Sequence, residues 1–103
     1  MSGKSLGILL TTGPQCENSF TVIKIAQAAL SKGVEVSIFL MADGIYNCFL
    51  VDFLALSNQG ARITTCEQSV KDRNVSFDGP VTRGSLYDLA CLMTQVDRFL
   101  SFT

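Results

Sequence analysis

The chain has 103 residues, 48% of them apolar and 17% charged, with a net charge of −1. That length predicts one domain over residues 1–103. The charged share lies below the usual 25% or so, too little polar material to cover a small domain, so part of the surface is expected to be buried in a homo-oligomer. The eight Lys and Arg are spread singly from Lys4 to Arg98, without the basic stripe that a nucleic-acid partner requires. No apolar run approaches the ~18 residues of a membrane span. Residues 1–4 lead into a strand-like run with no signal-peptide core, which predicts a cytoplasmic protein.

In chain order, residues 5–11 form a short and nearly continuous apolar run, the pattern of a strand covered on both faces. The Gly13-Pro14 pair makes residues 12–17 a loop. Asn18 is a suitable N-cap for a helix to about Lys32, with Gly33 as its stop. Val22, Ile25, Ala26 and Ala29 form one apolar stripe of that helix. Residues 34–41 read as a second buried strand, and Asp43-Gly44 as a turn. The apolar stretch 45–56 is long enough to favour helix over strand.

Residues 61–65 read as a third strand that delivers Cys66, and residues 67–73 as one or two turns of helix. Thr65 and Gln68 have the spacing of a capping box, which makes Thr65 the expected N-cap and Cys66 the first helical residue. Residues 76–81 are expected as loop or a brief edge strand, because Gly79-Pro80 cannot sit in a central one. Ser85 caps a helix over residues 86–95, with Leu86, Leu89, Ala90 and Met93 on its buried stripe. Residues 97–102 form a last strand. Strands alternating with helices at this spacing imply βαβ units: a three-layer α/β/α sandwich with a mainly parallel sheet.

In such sheets, sites lie at the carboxyl ends of the strands. Three loops are expected there: residues 13–17 with Gly13, Pro14 and Cys16; residues 42–47 with Asp43, Tyr46 and Asn47; and the turn carrying Thr65 and Cys66. The first loop matches neither GxGxxG nor GxxxxGK[ST], and its proline removes an N–H that a phosphate cradle needs. Asp43 lacks the companion acids of a receiver-type metal site, since the first strand ends in Thr11-Thr12. Tyr46 and Asn47 are placed to line the cleft or to pack at a helix start.

The four cysteines Cys16, Cys48, Cys66 and Cys91 have no CxxC spacing, and the chain has no histidine. That excludes Cys–His and Ser–His nucleophile pairs and the paired ligands of a zinc site, so no metal or cofactor is expected. Cys48 and Cys91 read as packing residues. Cys66 at a helix start sits where unpaired N–H groups and the helix dipole favour an anion. A thiol so placed can have its pKa lowered to roughly 3.5–7.5, although Glu67 beside it opposes this. The plain alternative is a small buried hydrophobe, as most free cysteines are.

The segments Leu6-Gly7-Ile8-Leu9-Leu10-Thr11-Thr12-Gly13-Pro14, Val34-Glu35-Val36-Ser37-Ile38-Phe39-Leu40 with Asp43-Gly44-Ile45-Tyr46-Asn47, the Cys66 turn and Asp97-Arg98-Phe99-Leu100-Ser101-Phe102 together resemble the DsrE/DsrF-like family, which includes TusD-type sulfur-relay subunits. The resemblance covers essentially the whole chain. It implies a small α/β domain of a kind that assembles into dimers, trimers or hexamers, with a trimer or hexamer expected here. It also implies a sulfurtransferase-like carrier that holds a persulfide on the cysteine after the third strand, here Cys66. Other sulfur-relay proteins or small thiols would be donor and acceptor, in tRNA thiolation or sulfur oxidation. The chain is shorter than TusD-type subunits between the second and third strands and carries additional cysteines. Two alternatives stay open: a non-catalytic assembly module, as in relatives lacking the cysteine, and a two-cysteine redox protein using Cys16 and Cys66.

Overall fold

The computed structural model describes residues 4–77 and 79–103. Residues 1–3, and Asp78 within the stretch expected as loop or edge strand, lie outside the described residues. The elements run β1 (Ser5–Leu10), α1 (Asn18–Ser31), β2 (Glu35–Leu40), a 3-10 helix (Ala42–Phe49), α2 (Val51–Asn58), β3 (Arg62–Cys66), α3 (Glu67–Arg73), β4 (Val81–Gly84), α4 (Leu86–Gln95) and β5 (Arg98–Phe102). The five strands form one sheet in the order β4-β3-β2-β1-β5, with every pairing parallel. This is the expected α/β architecture.

Topology decides how the faces are covered. The steps β1 to β2, β2 to β3 and β3 to β4 all move the same way along the sheet, so right-handed crossovers put their helices on one face. The return from β4 to β5 runs the other way and carries α4 to the opposite face. Burial agrees. Leu6, Ile8, Leu10, Val36, Ile38, Leu40 and Ile63 alternate along the strands onto one face, where Val22, Ala26, Ile45, Phe53, Leu56 and Val70 pack against them. α4 contributes no residue to this core. Its expected buried stripe does not exist: Leu86 is 58% and Met93 51% exposed. The 3.6-residue period locates an apolar face, but it cannot supply a second layer for that face to pack on.

Other local expectations are also revised. Residues 45–56 are not one helix. Extended backbone at Leu50 (φ −89, ψ 122) separates the 3-10 helix from α2. The side chain of Asn18 donates to Thr12 Oγ1 at 3.2 Å and does not cap α1, which has Glu17 at the cap position. Gly33 does follow the end of α1 with φ +79, the left-handed conformation that glycine adopts at least cost. At α4 the expected cap holds: Ser85 Oγ accepts from the Asp88 N–H, and the Asp88 carboxylate accepts from the Ser85 N–H.

Candidate functional site at the carboxyl edge

β1 ends at Leu10, and the chain enters the loop that contains Thr12, Gly13, Pro14 and Cys16. Asn47 fixes this loop from below. It is fully buried, and its Nδ2 donates to the Thr12 carbonyl at 3.0 Å and the Gly44 carbonyl at 2.9 Å. Its Oδ1 accepts from the buried Ser19 hydroxyl, which also lies 3.4 Å from the Gly13 carbonyl. One amide therefore joins the first loop, the start of α1 and the 3-10 helix. Such a fully satisfied buried group specifies an arrangement, because breaking any part of it orphans the rest. Tyr46 lies beside it but turns to the surface side, stacking on Phe49 with ring centroids 6.4 Å apart.

The loop after β2 is tied in turn to α3. Ala42 takes a left-handed conformation (φ 53), rare for a residue with a side chain, and its N–H donates to Ser69 Oγ at 2.9 Å. Asp43 accepts from Arg73 Nε and Nη2, both at 3.1 Å. The expected Asp43-Gly44 turn is thus the first turn of the 3-10 helix. Gly44 is required there, since a Cβ would stand 2.1 Å from the Leu10 carbonyl oxygen. The three loops do come together at one edge, through Asn47 on one side and the Ser69 and Arg73 contacts on the other. Sequence reasoning missed Ser19, Ser69 and Arg73 as the connectors. Their only sequence signal is a hydroxyl or cation on an amphipathic helix, which is also what an exposed face looks like.

Cys66 is the last residue of β3 and itself the N-cap of α3, with extended backbone at φ −66 and ψ 118. The predicted Thr65–Gln68 capping box does not form. Thr65 lies within β3, and its hydroxyl donates to the Thr82 carbonyl at 3.3 Å, while Gln68 donates to Asp72. The strand runs one residue further than expected because β4 pairs with it up to Cys66 opposite Gly84. Cys66 is 3% exposed and lies outside the α1-side core. Alternation with Thr64 puts its side chain on the α4 side of the sheet.

All four cysteines are free thiols. Cys16 is half-buried in the first loop, and β2 stands between the strands that lead to Cys16 and Cys66. Cys48 is buried as expected, and burial pushes its thiol up to about 11. Cys91 is not a packing residue. It is half-buried, lines an open groove on the α4 side, and its proximity raises the pKa of Tyr87 one turn away.

Comparison with known proteins agrees with this geometry. The model of the DsrE/DsrF-like family matches residues 4–102. Among solved structures, the ychN protein from E. coli superposes with a TM-score of 0.83 at 19% identity, covering 96% of this chain and 99% of that one. A conserved protein of unknown function from Bacteroides thetaiotaomicron superposes at 0.77 with 16% identity, covering 96% and 95%. No curated protein matches the sequence. No helix among the described residues is long and apolar enough to cross a membrane. With a family match over nearly its whole length and the same fold in two solved relatives, the chain belongs to the DsrE/DsrF-like family.

Proposed function

We propose that this protein is a cytoplasmic persulfide carrier of the sulfur-relay type, with Cys66 as the residue that accepts and passes on sulfur. The observation that carries the reading is the position of Cys66, at the carboxyl end of an interior strand and at the cap of a helix, in a family generally involved in sulfur relay. The Cys66 thiolate attacks the outer sulfur of a donor persulfide, the S–S bond of the donor breaks, and the donor leaves as a thiolate. An acceptor thiolate then takes the same sulfur from Cys66. Each step exchanges one S–S bond for another, so neither an external oxidant nor histidine is needed. Gly13, Pro14, Cys16, Asp43, Tyr46 and Thr65 frame or support the edge at which a partner would dock. The exposed Phe20, Phe49, Val51 and Tyr87 are the surfaces on which a homo-oligomer, trimer or hexamer, would assemble.

A second reading, a non-catalytic assembly module, is favoured by the burial of Cys66. Cys48 provides an internal standard, because the two side chains are almost equally covered, 3% and 4% exposed. A carrier must open at Cys66, so peptide-mapped alkylation at pH 8 should label Cys66 well ahead of Cys48. Equal, slow labelling of both would establish the assembly module instead.

A further inference from the structure

The end of α4 reaches β1, where Leu92, Val96 at the helix's C-cap and the β5 residue Phe99 close on Gly7. The helix also meets β4, where the Asp88 side chain lies against Gly84, and between α4 and the strands β2, β3 and β4 the same face stays partly open. A groove of about 460 Å³ follows these strands, a volume within the range of small-molecule sites. Its floor is unusual. Strands of parallel sheets are ordinarily apolar on both faces, yet here Ser37, Arg62, Thr64 and Thr82 line the groove beside the buried Phe39. Arg62 makes no ion pair among the described residues, nor does Arg83 on the outer strand. Among the described residues, the groove's one carboxylate, Asp88, already accepts from the Ser85 N–H at 2.7 Å and hydroxyl at 3.2 Å. With two guanidinium groups against one carboxylate among the described residues, the groove offers net positive charge beside hydroxyl groups. Cys66 is buried just beyond its upper end and is not itself part of the lining: it follows Thr64 on the same side of β3 and pairs in register with Gly84, and both of these line the groove.

We infer that this groove binds an anionic low-molecular-weight thiol, a small acidic peptide thiol or its persulfide, and presents that ligand's sulfur to Cys66 from the sheet face. Arg62 supplies the fork for a carboxylate, and the hydroxyls of Thr64 and Thr82 take peptide-like polar groups. The inference deepens the carrier reading and rests on it for the role of Cys66. With a persulfide bound, the Cys66 thiolate attacks the outer sulfur, the ligand's own S–S bond breaks, and the ligand departs as its thiolate.

Cys91 reports on occupancy, because it lines the groove and takes no part in the transfer. In Cys66→Ser, S-methylglutathione should slow alkylation of Cys91, and Arg62→Gln should raise the concentration required by about tenfold. With Cys66 intact, Arg62→Gln should slow loading from glutathione persulfide but not from inorganic polysulfide. Arg62 is exposed, so its replacement leaves the fold in place. Absence of Cys91 protection, or equal protection by glutarate, overturns the inference. Cys66 loading from polysulfide would then still support the carrier. Protection of Cys91 with no loading of Cys66 from either donor would uphold the binding site and remove the carrier reading.

Discussion

At the scale of single residues, Asn47 shows how one polar group organises an edge. Replacing it with leucine leaves the Thr12 and Gly44 carbonyls without its Nδ2 and the Ser19 hydroxyl with only the 3.4 Å contact to the Gly13 carbonyl. Each buried orphan costs roughly 1–3 kcal/mol, so urea unfolding should show a loss of about 3 kcal/mol for Asn47→Leu. A loss below about 0.5 kcal/mol, the usual range for a plain surface change, would mean that the network is not what holds the loops. The sequence marks Asn47 as a polar residue at the start of an apolar stretch, which fits a cleft-lining residue and a packed one equally. The choice depends on Thr12, Ser19 and Gly44, partners that only the fold brings to it. Cys66 was legible as a residue at a strand–helix junction for a local reason, the change of pattern around it. Its burial was not legible, because the β4 residue opposite it is eighteen positions along the chain.

At the scale of elements, the strands and α1 were readable because their periods are fixed by backbone geometry. Ends and layers were less readable. The Thr65 cap failed because a strand partner claimed the hydroxyl, whereas the Ser85 cap succeeded because its partner Asp88 is on the same helix. Ser85→Ala should therefore destabilise α4 by about 1 kcal/mol. Because α4 buries no residue, the effect should appear chiefly as faster amide exchange within α4, with the β1–β2–β3 amides unchanged. Uniform acceleration across the sheet would show that α4 unfolds only with the whole domain. The break at Leu50 has no comparable local signal, since neither glycine nor proline marks it. It arises where the 3-10 helix turns over to present Cys48 and Phe53 to the same core.

At the scale of the whole molecule, the scarcity of charge and the exposed Phe20, Phe49, Val51 and Tyr87 have the same origin, a chain with more apolar surface than one copy buries. Sedimentation at micromolar concentration should give a mass that is a multiple of 11.2 kDa, and a species of the monomer mass alone would contradict this. Fold class was legible at this scale because alternating strand and helix periods admit few topologies. The groove beside α4 was not, since it follows from the return of the chain across the sheet from β4 to β5 with a single helix. The central claim, that Cys66 carries sulfur, is tested most directly by whole-protein mass after incubation with a persulfide donor. The wild type should gain about 32 Da, one sulfur atom, by thiol–persulfide exchange, and the gain should be absent in Cys66→Ser and retained in Cys16→Ser. A wild type that takes up no sulfur, or a Cys66→Ser variant that takes up as much, would contradict the account.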